Sequence, residues 1–314
     1  MERWILAAVW ATLPLTAGGA VADATADWSS APQAVAAVLC WAAWAVVLLA
    51  IVVPRPIGLT AARAVAPCFA VLAVVIAIGA DVDATAAAAA VVATLVAAVL
   101  VSRPPLAFAA VNAVAYGDEH RFPLRVPPGL FLGPLPAARL LLGAAIATGP
   151  LLLADEQWVL GAVAVAVGAP IAYFAARALH GLSSRWAVLV PAGFVIVDPL
   201  TLSDPVLFVR ERIVSLRASG AAAPAGEGTL DLRLGASLGT VVLTLDRPAE
   251  VFRAQRGRTG AVTVTTTEIC VAALAAPRLL AEAGRRRIPV VVATGSPTRG
   301  QAAATPPPTS SSPS

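Results

Sequence analysis

Residues 33–53 read QAVAAVLCWAAWAVVLLAIVV, a run without a single charge. A helix of about 20 apolar residues crosses roughly 30 Å of hydrocarbon, so this stretch predicts a membrane span. Working outward, the same reading predicts spans at 4–22, 58–80, 84–101, 135–153 and 158–178, about six in all. The segment 84–101 gains least from lipid, because its first half is mostly alanine. Composition agrees. The 314 residues are 59% hydrophobic and 13% charged, with a mean hydropathy of +0.82, whereas a soluble domain carries about 25% charged residues.

The connections between these segments sort by charge. Asp23 and Asp27 follow the first, Asp81 and Asp83 the third, and Asp155 and Glu156 the fifth, with no arginine in those loops. Arg55 follows the second, Arg103, Arg121 and Arg125 the fourth, and Arg177 and Arg185 the sixth. Basic residues beside helix ends stay in the cytoplasm, so every even-numbered exit is expected to face inward. Trp4, Trp28 and Trp158 lie at segment edges, where indole rings favour the interface. A rival reading exists for the first segment: Ala20-Val21-Ala22 before Asp23 has the form of a signal-peptidase site. Either way the C-terminal part is expected in the cytoplasm.

Prolines 14, 67, 150 and 170 fall inside four of the segments. Broken helices frame transport sites, but proline is also tolerated in membrane helices whose neighbours satisfy the backbone. A carrier of polar solutes needs polar groups at mid-membrane, and only a few threonines are available there. Arg63 and Arg139 lie near segment ends, where a long side chain is expected to snorkel to water. All 22 basic residues are arginine. The absence of lysine excludes P-loop, Schiff-base and protein-kinase chemistry. Cys40, Cys68 and Cys270 stand far apart, without the CxxC spacing of a zinc site, and no cofactor is expected. The alanine- and arginine-rich usage suggests a GC-rich bacterial source, and hence a bacterial plasma membrane.

The loop 103–134 holds the densest polar cluster of the membrane half: Asn112, Tyr116, Asp118, Glu119, His120 and Arg121. A short helix and then an extended, proline-rich return are expected there. Adjacent residues rarely converge on one ion, so the cluster reads as a solvated turn before a metal site. It is nonetheless the candidate functional loop.

From Arg185 the pattern shortens to strand length. Residues 186–190, 193–197, 206–210, 230–234, 241–245 and 261–267 are β-branched or alternating runs. RLLAEAGRRR (278–287) reads as an amphipathic helix, 218–228 as a loop, and the Pro/Ser/Thr-rich tail 294–314 as disordered. The charge is uneven: residues 1–176 hold 7 Arg and 9 acids, residues 177–314 hold 15 Arg and 9 acids. Arg253, Arg256, Arg258, Arg285, Arg286 and Arg287 are a candidate basic face for anionic inner-leaflet lipid. Nucleic acid is not expected, since no aromatic residues interleave with them. Gly235-Ala236-Ser237-Leu238-Gly239 fits the serine-hydrolase elbow G-x-S-x-G. That mechanism needs a later histidine, and both histidines come earlier, so a hairpin turn is expected instead.

RWAVLVPAGFVIVD (185–198), VVLTLDRPAEV (241–251) and TEICVAALAAPRLLAEAGRRR (267–287) resemble the bacterial pleckstrin-homology-like domains, a bent sheet closed by a C-terminal helix. The whole chain looks like uncharacterised actinobacterial multi-pass membrane proteins carrying such a domain. The resemblance implies a barrel-like module at 181–293 after a helical domain at 1–180, α+β overall, binding lipid or protein and carrying no catalytic residue. The expected function is a non-enzymatic membrane scaffold or sensor. The alternatives are a transporter or channel using kinked helices, and an enzyme at the membrane interface.

Overall fold

The computed structural model describes residues 2–220, 228–255 and 260–291. Five of its helices are long and apolar enough to cross a membrane. The expected first span is not among them. Residues 4–22 fall across three short helices, α1 (Glu2–Ala11), α2 (Leu13–Thr16) and α3 (Gly18–Ala24). The physical reason is Pro14, which has no N–H to offer the Trp10 carbonyl one turn back. Trp44 supplies the missing donor: its Nε1 donates to the Trp10 carbonyl at 2.9 Å, and Trp10 Nε1 donates to the Trp44 carbonyl at 2.9 Å.

The long helices are α4 (Ser30–Val52), α5 (Pro56–Gly79), α6 (Ala84–Ser102), α8 (Pro134–Ala154) and α9 (Trp158–Ser183), with a short α7 (Pro104–Asn112) between α6 and α8. Asp83 caps α6, accepting from the backbone N–H of Thr85 and Ala86, which satisfies two of the donors a helix start leaves open. Pro67, Pro150 and Pro170 sit inside unbroken helices. The closest packing joins α8 to α9. A Cβ at Gly168 would stand 2.8 Å from the Ala145 carbonyl oxygen, and one at Gly149 2.5 Å from Val165, so these glycines let the backbones touch. The outer faces are apolar and uncovered: Ile78 is 83% exposed and Val159 78%. Such a continuous surface is costly in water and suits hydrocarbon. Arg63 and Arg139 are each part-exposed, with the Nε buried and without a hydrogen-bond partner.

The β-rich region contains two sheets. In the first, β1 (His120–Pro123), β2 (Trp186–Val190), β3 (Gly193–Val197) and β4 (Val206–Val209) form an antiparallel meander in that order. In the second the order is β6 (Thr229–Asp231), β8 (Ala261–Ala272), β7 (Thr240–Ala254), β5 (Ile213–Ala218) and β9 (Val290–Val291). Isolated bridges Leu124↔Ala273 and Leu202↔Arg253 tie the sheets at their corners. The expected barrel is corrected: the sheets do not close. A helix, α10 (Ala276–Arg285), buries Leu279 and Ala283 in the shared core with Phe194, Ile196, Leu216, Leu243 and Ile269.

Two differences from the expected strands have local causes. The run 241–245 extends to Ala254 because Pro248 falls at a register shift between Thr244 and Ala249, where a missing N–H is tolerated. Strand β1 was expected only as an extended return toward the membrane. It lies in the loop between α6 and α8 and pairs residue by residue with β2, placing Phe122 and Leu124 in the core. The sheet therefore uses residues from between the membrane helices as well as those after Arg185. The glycine-flanked turn 235–239 leads straight into β7 rather than into a helix. There Gly239 has φ +72° and abuts the Ala273 carbonyl oxygen, a place a side chain cannot occupy. The expected tail 294–314 and most of the loop 218–228 lie outside the described residues.

Candidate cleft between the loop strand and the last helix

Asn112, the only asparagine, ends α7 and fixes the start of β1. Its Oδ1 accepts from the Arg121 backbone N–H at 2.9 Å, and its Nδ2 donates to the Arg121 carbonyl at 2.9 Å and to the Phe108 carbonyl at 3.0 Å. The side chain thus imitates a neighbouring strand, satisfying both backbone groups of Arg121. Asn112 is a positioning residue for the loop.

The charged residues beyond it are divided between the loop and α10. His120 Nδ1 lies 3.1 Å from Glu282 Oε1, with the histidine side chain 55% exposed and the glutamate 12%. Arg286 donates from Nε to Glu282 Oε1 at 2.9 Å, and from its two Nη atoms to the Asp118 carbonyl at 2.5 Å and carboxylate at 3.1 Å. Arg285 pairs with the other oxygen of Glu282 at 2.5 Å. Hydrogen bonds from Arg286 and His120, with the charge of Arg285, hold the Glu282 carboxyl down at about 2. Within the loop, Arg121 Nη2 donates to Glu119 Oε2 at 2.9 Å and its guanidinium lies 5.7 Å from the Trp186 ring centre. Burial pushes the Glu119 carboxyl up, but the Arg121 and Tyr116 hydrogen bonds outweigh it and leave it below the ordinary value.

Between these elements lies a cleft of about 210 Å³, lined by Phe108, Asn112, His120, Arg121, Phe122, Arg278, Ala281, Glu282 and Arg285. The Arg278 guanidinium lies 5.0 Å from the Phe108 ring centre, a cation–π contact at the wall of the cleft. No family model, curated protein or solved structure matches this chain. Among the described residues the lining of the cleft includes no Ser, Thr or Cys. Among the described residues no group of three or more His, Cys, Asp or Glu side chains gathers to hold a metal. What the cleft offers is arginine N–H donors beside aromatic rings, a surface for an anionic group.

The structure thus joins two sets of residues that the sequence left apart. Asp118 and His120 from the loop meet Arg286 and Glu282 of α10, and Arg121 and Arg285 line the same cleft. Tyr116 is exposed at the loop tip and contributes its backbone N–H to Glu119. Of the candidate basic face, four arginines lie among the described residues. Arg286 is engaged by acids, Arg287 follows α10 in a left-handed turn with φ +59°, and Arg253 lies on β7 near Asp231. Arg256 and Arg258 lie outside the described residues. Phe108, Arg278 and Glu282 were not singled out from sequence. The i, i+4 spacing of Glu282 and Arg286 was the one readable signal.

Proposed function

We propose that this chain is a non-enzymatic integral membrane scaffold or sensor whose β-rich region engages an anionic partner, a lipid headgroup or an acidic protein segment, through the cleft between α7, β1 and α10. The supporting observation is the descent of β1 from the loop between two membrane helices into the first sheet, where His120 and Asp118 are tied to α10. A shift of α6 or α8 reaches the cleft through a strand and two ion pairs. Occupation of the cleft acts back on the helices through the same contacts. The resemblance to pleckstrin-homology-like modules agrees with this reading, as do the two largely antiparallel sheets and the helix packed on them. The arginine-bearing loops that feed the sheets favour the cytoplasmic face of a bacterial plasma membrane.

The test uses the full chain in nanodiscs of zwitterionic lipid. Flotation with anionic vesicles and affinity capture from the source membrane are compared with an Arg278→Gln, Arg285→Gln variant. Binding of anionic vesicles or of one defined protein, lost in the variant, is the expected result. Binding of neither, or binding that the variant leaves unchanged, would overturn the reading.

A further inference from the structure

Arg63 and Arg139 enter the helical bundle where, among the described residues, no carboxylate pairs with them. Arg63 lies on α5 seven positions after Pro56, and Arg139 on α8 five positions after Pro134. Both helices start at the end of the bundle that carries the sheets. The two side chains line one small space with Thr60, Leu135, Leu179 and Ser183. Each has a buried Nε without a hydrogen-bond partner. The nearby Thr60 hydroxyl is already committed: it donates to the Pro56 carbonyl at 3.1 Å and sits 3.0 Å from His180 Nδ1.

Two guanidiniums placed together in a medium of low dielectric repel each other, and neither loses its proton near neutral pH. An arrangement of this kind is completed by an anion. Arg139 also forms one end of a groove of about 490 Å³ between α4, α5 and α8. The groove continues along Leu72, Val75 and Ile146, all exposed on the outer surface of the bundle. Val75 is twelve positions beyond Arg63 and Ile146 seven beyond Arg139, so the apolar part runs roughly 10–18 Å deeper at 1.5 Å per residue.

We propose that this is a binding site for one anionic phospholipid, with its phosphate at the mouth of that space on the outer N–H groups of Arg63 and Arg139 and an acyl chain in the α4–α5–α8 groove. Arginine forks match phosphate oxygens two at a time. The adjoining apolar groove selects a lipid over free phosphate, since only a lipid fills both parts. The site is separate from the cleft at β1 and α10, and it stands or falls independently of it.

The experiment uses the full chain, purified in detergent and stripped of lipid, then titrated with phosphatidylglycerol, phosphatidylcholine of the same chain length, or inorganic phosphate. Native mass spectrometry reads stoichiometry and thermal melting reads stabilisation. Phosphatidylglycerol is expected to bind as a single retained molecule and raise Tm. Phosphatidylcholine, whose choline adds a third cation, and inorganic phosphate are expected to do neither. In an Arg63→Gln, Arg139→Gln variant, phosphatidylglycerol binding should weaken roughly tenfold or more, while Arg103→Gln, exposed at the end of α6, leaves it unchanged. Equal stabilisation of the unmodified chain by phosphatidylcholine or by inorganic phosphate would overturn the proposal, whether or not the double variant folds. So would undiminished phosphatidylglycerol binding in that variant.

Discussion

Arg185 and Asp198 form a two-point ion pair at 2.8 Å, with side chains 2% and 0% exposed, where the last membrane helix gives way to the first sheet. The same guanidinium donates to the Arg125 carbonyl at 2.9 Å and to the Leu232 carbonyl at 3.0 Å. One side chain therefore ties the end of α9 to the inter-helix loop, to β3 and to the second sheet. A buried charge pair adds little net stability when intact, but removing one partner leaves an uncompensated charge. Asp198→Ala is expected to destabilise the full chain by about 3–5 kcal/mol, read as a fall in Tm in detergent. Arg185→Met with Asp198→Leu should recover part of that loss, with the Arg125 and Leu232 carbonyls still lacking a donor.

The Glu282 carboxyl gives the α10 contact a defined pH dependence. Its folded value, about 2, lies below the ordinary 4.5. The stability it contributes is therefore fully present above about 4.5 and is lost as pH falls from there toward 2. Wild type and Glu282→Gln should differ most in Tm at pH 6–7 and converge as the pH drops through that window. A constant difference across it would contradict the assignment.

Trp10 and Trp44 allow a double-mutant test of why the first helical segment is broken. Trp44→Phe leaves the Trp10 carbonyl without a donor, because Pro14 cannot provide one. The expected cost is about 0.6–2 kcal/mol, the range for hydrogen bonds between membrane helices. Pro14→Ala restores an N–H at the right position, so Trp44→Phe made in that background should cost distinctly less. Equal costs in both backgrounds would show that the Trp44 donor is not compensating for proline.

Loop strand β1 predicts what a trimmed protein does. A fragment of 185–291 lacks Phe122 and Leu124 from the core and leaves the edge of β2 unpaired, an exposed template for aggregation. It should fail to show a cooperative melting transition. Joining residues 104–127 to its N-terminus through a flexible linker should restore one. Within the intact chain, Asn112→Ala should speed amide exchange across 120–123, since two bonds to Arg121 are removed.

Much of the helical body was legible because lipid imposes a simple rule: length and lack of charge are nearly sufficient, and α4, α5, α6, α8 and α9 obey it. The first segment obeyed the same rule and still broke, since hydropathy does not register the N–H that Pro14 lacks. Strands β2, β3 and β8 were legible from their β-branched and alternating residues. HRFP (120–123) was not, being too short for any alternation, and only its partner β2, more than sixty residues later, makes it a strand. The candidate loop was found by its charge density, but its meeting with Glu282 and Arg286 is a long-range contact with no local signature. Arg63 and Arg139 looked ordinary one at a time; that, among the described residues, no carboxylate pairs with them is visible only when α5 and α8 are side by side.

The central claim is that the loop 103–134 and the β-rich region form one structure on a single side of a bilayer. It is tested by labelling single cysteines in sealed membrane vesicles, after replacing Cys40, Cys68 and Cys270. Tyr116→Cys and Leu238→Cys, at sites 86% and 64% exposed, should react with an impermeant reagent from the same side. Gln157→Cys, in the turn between α8 and α9, should react only from the other. Labelling of positions 116 and 238 from opposite sides would contradict the account.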